Sequence, residues 1–278
     1  MDILLETDAP LAARIAREAG DIVLDFYRRG AKVKFKPGDE PVTEADQAAS
    51  AFIVAELRRE RPSDTIISEE AEDDQLRRTA HRVWFIDPID GTKEFIAKNG
   101  EFSIMIGLCV DGLPVVGAVY QPTADRLWYA TPDGAFVEHK GEKRALRVSS
   151  HNEFLAFSMI SSRSHRNFVL MEARKRLGIP REITSGSGGI KLGLIAEREA
   201  DVMFSPSSNS KLWDMCAPEA ILRAAGGEVT DFQGQRLDYR REELRNLNGV
   251  VASNGTRHAD IIALVRDLFP RPAAAVGQ

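Results

Sequence analysis

The stretch Val83-Trp84-Phe85-Ile86-Asp87-Pro88-Ile89-Asp90-Gly91-Thr92 places the tightest constraint on how this chain can fold. Its first four residues are all β-branched or aromatic, without the polar alternation of a strand that has one wet face, so they read as a strand buried on both sides. That strand runs directly into two aspartates, and ionised carboxylates are expensive to dehydrate. Two readings stay open at this point. Asp87 and Asp90 can be turn and cap residues, since Pro-Ile-Asp-Gly makes an acceptable turn. Alternatively, they converge on one small volume and need protons or cations to offset their repulsion.

Other acids occupy comparable positions. Glu69-Glu70 ends the short apolar segment Asp64–Ser68, and Trp213-Asp214 opens a helix after the polar loop SPSSNSK. Each taken singly can be a cap or a surface acid. Together with Asp87 and Asp90 they form a set of hard oxygen donors, the type that suits Mg²⁺ with its waters and a substrate phosphate.

The rest of the chain frames these acids. Its 278 residues can bury a sizeable core as one large domain or two close lobes. A net charge of -5 provides no basic footprint for a nucleic acid polymer, so an anionic substrate must be held by a few local cations or by metal ions. Cys109 and Cys216 have neither CxxC nor Cys/His spacing, which fits reduced thiols. No stretch is apolar for long enough to cross a membrane and the N-terminus has no leader pattern, so a cytoplasmic protein is expected.

Apolar residues at helical spacing predict a helix over residues 10–27, capped by Thr7 or Asp8. A charged excursion, AKVKFKPGDEPV, separates it from a second helix over 44–59. That helix opens on Thr43-Glu44-Ala45-Asp46, which has the form of a capping box. The run EDDQLRRT reads as a solvated loop or helix turn. Four strand-like pieces between residues 101 and 141, separated by Asp-Gly and similar turns, predict an antiparallel meander. The second half mixes a strand at Phe154–Ile160, helices over 167–177, from the glycine-rich 185–197 and over 214–225, short strands at ADVMF, GGEVT and GVVASN, and a final helix. Arg271–Gln278 reads as a frayed tail. Without a regular βαβ rhythm, the pattern predicts layered α/β packing of two lobes, residues 1–150 and 151–278, working as one catalytic unit.

At two separate places the chain resembles the inositol monophosphatase superfamily of Mg²⁺-dependent, lithium-sensitive phosphatases. Trp84 through Thr92 matches its first signature. Trp213-Asp214-Met215-Cys216-Ala217-Pro218-Glu219-Ala220, continuing to Ala225-Gly226-Gly227, matches its second. The resemblance implies a layered αβαβα sugar-phosphatase fold. It also implies one Mg²⁺ on Glu69, Asp87 and the Ile89 carbonyl, and a second on Asp87, Asp90 and Asp214. A third, loosely held ion would lie near Glu69, with Asp46 assisting through water. The same resemblance assigns Gly91 and Thr92 to the phosphate, and Glu69 and Thr92 to orienting the metal-activated water, with a water on Asp214 aiding the leaving group. Glu70 is left between ordering its loop and contacting an outer water. Li⁺ is expected to inhibit, and a homodimer is compatible with the family.

Within the superfamily, Lys93-Glu94-Phe95-Ile96, Asn99-Gly100-Glu101-Phe102 and Ser161-Ser162-Arg163-Ser164-His165 resemble the 3'(2'),5'-bisphosphate nucleotidase branch. The implied substrate is adenosine 3',5'-bisphosphate, a by-product of sulfate activation. Arg163, His165, Lys191 and the loop through Gly188 could then serve the second phosphate, although surface or snorkelling roles explain each side chain equally well. The chain departs from that branch in two places. Gly188-Gly189 stands where paired serines are common, and Phe204-Ser205-Pro206 stands where an arginine is common. Hydrolysis of inositol 1-phosphate or another sugar phosphate would use the same acids. A non-enzymatic metal- or nucleotide-binding protein is the reading from a different class.

Overall fold

Helix α1 (Leu5–Arg29) starts more than a turn before the spacing predicts. Asp8 therefore lies inside the helix rather than capping it, fully buried and held by Arg61 and Arg82 at 2.7 Å each. The structure, a computed structural model, describes residues 5–36, 38–73, 75–164, 168–206 and 210–269. His165 and the tail at 271–278 lie outside the described residues.

The charged excursion folds into an antiparallel hairpin, β1 (Val33–Lys36) and β2 (Glu40–Thr43). It feeds α2 (Glu44–Glu60) through the expected capping box: Thr43 Oγ1 accepts from the Ala45 N–H, and the Asp46 carboxylate accepts from the Thr43 N–H. After β3 (Thr65–Ser68) the acidic run is the expected exposed loop and helix turn, a 3-10 turn over Leu76–Arg78, with one exception. Arg77 is fully buried there, donating to the carbonyls of Arg241 and Glu242 and pairing with Asp73.

Next come β4 (Arg82–Asp90), the short helix α3 (Thr92–Ile96), β5 (Ser103–Val110), β6 (Leu113–Gln121), β7 (Arg126–Thr131), β8 (Gly134–His139) and β9 (Glu142–Ala145). With β3 they form a seven-stranded sheet in sequence order, the predicted meander, in which only β3 and β4 run parallel.

The second half contributes β10 (Ser158–Ser162), α4 (Phe168–Leu177), β11 (Arg181–Ser185), α5 (Gly188–Ala196), β12 (Val202–Ser205), α6 (Trp213–Ala224), β13 (Glu228–Thr230), β14 (Val250–Ser253) and α7 (His258–Val265). Its five-stranded sheet has the order β11-β10-β12-β14-β13. A 3-10 turn, Phe154–Ala156, takes the first half of the strand predicted at 154–160.

Side-chain parity explains the layering, because successive residues of a strand point to opposite faces. Trp84 and Ile86 of β4 join the core under α1 and α2, whereas Val83 and Phe85 join the core under α5 and α6. In the smaller sheet, Ile160 and Met203 face that same middle layer, while Met159, Val202 and Phe204 pack with α4 and α7. The result is five layers, αβαβα.

The middle contact is close. A Cβ on Gly107 would lie 2.5 Å from Ala217 N, and one on Gly117 would lie 2.2 Å from Ala217 O. Two glycines thus let the α6 backbone rest directly on the large sheet. The same approach brings Cys216 Sγ to 3.5 Å from Cys109 Sγ, two buried free thiols.

Candidate active site

Strand β4 does not end at Ile86. It continues to Asp90 with a register shift between Asp87 and Asp90, the signature of a bulge, and Asp87 is only 3% exposed. Gly91 then takes φ +94, a left-handed conformation open mainly to glycine, and a Cβ there would meet Glu101 O at 3.1 Å. This bend turns the chain into α3. It leaves Asp87, Ile89, Asp90, Gly91, Thr92, Lys93 and Glu94 along one cleft of about 810 Å³.

Three other elements supply the facing wall. Glu69 follows β3, Asp214 lies in the first turn of α6, and Gly186, Gly188 and Lys191 come from the start of α5, so Glu69, Asp87, Asp90 and Asp214 share the cleft. Asp46 stands just behind them, its Oδ1 3.2 Å from Thr92 Oγ1.

The electrostatics follow from burial. Asp87 is pushed well above the usual carboxylate range first by desolvation, then by the charges of Glu69, Asp90 and Asp214. Its one hydrogen-bond donor among the described residues is the Ile89 N–H, 3.0 Å from Oδ1. Asp214 is raised well above its ordinary value by burial and by Glu69 and Asp90, against a single backbone N–H from Lys211 at 2.8 Å. Burial also raises Asp90, which is partly relieved by the Ser187 hydroxyl and by the Gly189 N–H at 2.9 Å. Asp46 is raised to about 6, chiefly by burial, despite its hydrogen bonds from Thr43.

These residues fit Mg²⁺ by donor chemistry. Among the described residues, no three acidic, histidine or cysteine side chains close around a single point. Mg²⁺ does not need such a cage, because it keeps several waters and takes one or two carboxylates plus substrate phosphate. Buried carboxylates with one protein donor each are the groups that a cation would satisfy.

The substrate-side residues divide. Lys191 is buried at the cleft wall, donating to Gly186 O at 3.2 Å; desolvation lowers its pKa against the opposing pull of Asp90 and Glu94. Arg163 is not among the cleft-lining residues, and its guanidinium is paired with Glu101 at 2.7 and 2.6 Å. Gly188 has room for a side chain, the nearest atom to a built Cβ being Asp90 Oδ2 at 3.6 Å. Gly189 has none, because a Cβ would lie 2.6 Å from Met105 Sδ and 2.8 Å from Val119. Packing therefore accounts for the second glycine.

Sequence reasoning missed Lys36. From the hairpin it reaches Glu70 at 2.6 Å and Glu69 at 3.3 Å, so Glu70 holds β1 to the cleft rim. It also missed Lys211, which pairs with Glu40 at 3.2 Å, and Ser187, which caps α5 and donates to Asp90. A lysine in a basic loop and a serine among glycines carry no local signal that sets them apart from solvated residues.

Known proteins share this fold. Residues 4–268 match the profile described as "Inositol monophosphatase family". The chain is 37% identical over 235 residues to the 3'(2'),5'-bisphosphate nucleotidase CysQ of Salmonella typhimurium, which spans 83% of this chain and 93% of that one. Among solved structures, CysQ from Bacteroides thetaiotaomicron superposes with TM-score 0.76 at 32% identity, covering 90% of this chain and 98% of that one. Inositol monophosphatase from Anabaena superposes with TM-score 0.76 over 97% and 99%, and at 24% identity it shows the fold alone. A five-layer αβαβα fold with an acidic cleft between its sheets, together with these relatives, defines a phosphatase. The chain belongs to the inositol monophosphatase family.

Proposed function

We propose that this protein hydrolyses adenosine 3',5'-bisphosphate to adenosine 5'-monophosphate and phosphate, using two to three Mg²⁺ ions held by Glu69, Asp87, the Ile89 carbonyl, Asp90 and Asp214. The observation that carries the reading is Asp87: a buried carboxylate whose pKa is raised by burial and by the charges of Glu69, Asp90, Asp214 and Asp46. Bound Mg²⁺ would supply charge stabilisation at the phosphoryl oxygens and a water of lowered pKa.

The chain's own residues do the rest. Thr92 Oγ1 lies 3.2 Å from both Asp46 Oδ1 and the Ile89 carbonyl oxygen; its one proton goes to one of them, which leaves a lone pair to receive a water proton. Asp46 is held by Thr43 and fixes that hydroxyl. Gly91 lets the backbone approach the phosphate, a place that no side chain could share without strain. Lys191 keeps donors free for an anionic group once one is spent on Gly186 O. Likeness to the Salmonella relative, named as a 3'(2'),5'-bisphosphate nucleotidase, favours the nucleotide over inositol 1-phosphate as substrate. The same reading carries the expectations of inhibition by Li⁺ and a cytoplasmic setting.

The test is phosphate release by purified protein with Mg²⁺ from adenosine 3',5'-bisphosphate, inositol 1-phosphate and fructose 1,6-bisphosphate at equal concentration. The nucleotide should lead. A tenfold preference for inositol 1-phosphate, about 1.4 kcal/mol in transition-state discrimination, would overturn the substrate assignment.

A further inference from the structure

Away from its acids the cleft has an apolar wall, formed by Phe168, Leu170, Met203, Phe204 and Pro206. Most of that wall also belongs to the core. Leu170 and Phe204 are 5% and 3% exposed, and Phe204 stacks with Phe232 and Phe269. Phe168 is different: it lines the same cleft yet remains 78% exposed. The helix explains why. α4 buries Leu170, Ala173 and Leu177, spaced by three and four residues, and Phe168, two positions before Leu170, falls off that stripe. The fold therefore gains little from this ring, which forgoes most of the benefit of burial.

We propose that Phe168 stacks against the purine of the substrate and selects nucleotides over phosphate esters that lack a base. The inference rests on the reading of this protein as a nucleoside bisphosphate phosphatase. An exposed aromatic face offers dispersion contact to any base through its π-face, without requiring hydrogen bonds. The cleft, at about 810 Å³, has the size of a site for a whole small molecule rather than for a phosphate alone. Its ends also match the ligand: acids for cations and the scissile phosphate, the Lys191 ammonium for an anionic group, and an apolar wall for a base. A polyhydroxylated ring placed on that wall would leave hydroxyl groups without partners, which disfavours inositol phosphate there.

Phe168→Ala and Phe168→Trp separate this role from a structural one, since the exposed ring contributes little to folding. With Mg²⁺, Phe168→Ala should raise KM for adenosine 3',5'-bisphosphate about tenfold with kcat little changed, and Phe168→Trp should restore KM. The kinetics of ribose 3,5-bisphosphate should not respond. Equilibrium dialysis of adenosine 5'-monophosphate should show the same weakening, and saturation transfer from protein aromatic protons to adenine H2 and H8 should fall in the alanine variant. An unchanged nucleotide KM and unchanged dialysis in Phe168→Ala, or an equal loss on the base-free ester, would overturn the proposal. The parent reading is judged separately on the wild-type protein, by its preference among the esters. Even if that preference failed, the binding of adenosine 5'-monophosphate would still decide whether Phe168 stacks a base.

Discussion

Thr92 and Asp46, 46 residues apart in sequence, meet in the fold with Oγ1 and Oδ1 3.2 Å apart. The hydroxyl that faces the cleft is thereby tied to a carboxylate whose other oxygen closes the capping box of α2.

Since the two residues act as one unit, their removal should not be additive. Thr92→Val and Asp46→Asn are each expected to lower kcat by about 100-fold, the scale of a lost proton-transfer group, and the double variant should be hardly worse than either. Steady-state kinetics of all four proteins measure the coupling. Multiplying losses would show that Asp46 serves only the helix cap.

Asp90→Asn should abolish turnover while leaving the fold intact, because it removes one charge from a crowded set of buried acids. Without metal, its melting temperature should equal or exceed that of the wild type. Saturating Mg²⁺, at 100 times Kd, should stabilise the wild type by about 2.7 kcal/mol and the variant far less. Thermal scans with and without EDTA read this out, and an equal response from an active variant would remove Asp90 from the metal site.

Gly117→Ala should destabilise the protein by at least the 1–3 kcal/mol typical of overpacking, roughly, since the new Cβ would lie 2.2 Å from Ala217 O. Activity should drop with it, because α6 also carries Asp214. Urea unfolding and phosphate release check both effects. A variant with wild-type stability would mean that the helix can lift off the sheet at no cost.

His258 is buried, with Nε2 2.8 Å from Thr230 Oγ1 and Nδ1 2.8 Å from Ser253 Oγ. Burial pushes its pKa below the ordinary 6.5, aided by Arg223 and opposed by Glu228. The folded state thus binds the proton less readily than the unfolded chain does. The stability it contributes is complete above pH 6.5 and is lost as pH falls from there through the lower folded value. Urea unfolding between pH 7.5 and about 5 should show this slope in the wild type and a flatter one in His258→Gln. Parallel slopes would contradict the assignment.

Much of the fold was legible because it is written locally. The meander of β5 to β8, the capping box at Thr43 and the helix opening at Trp213 all depend on periodicity or on residues within one turn. The charged segments misled. Asp8 read as a cap and Arg77 as solvated, but both are buried because each finds its partners far along the chain, Asp8 in Arg61 and Arg82, Arg77 in the carbonyls at 241 and 242. Composition reports the charge of a residue and is silent about a distant countercharge.

The same division holds at the cleft. Sequence by itself determined that acids stand at the ends of apolar strands, since an apolar run next to Asp87 and Asp90 leaves few physical options, and two spaced signatures identified the family. Tertiary structure alone decided that Lys36 reaches Glu69 and Glu70, that Glu101 rather than the cleft holds Arg163, and that Phe168 lines the cleft with its ring exposed. Those outcomes depend on how five layers stack, and stacking is set by long-range contacts such as the α6 backbone resting on Gly107 and Gly117. No local pattern encodes them, because either partner alone is an ordinary surface or core residue.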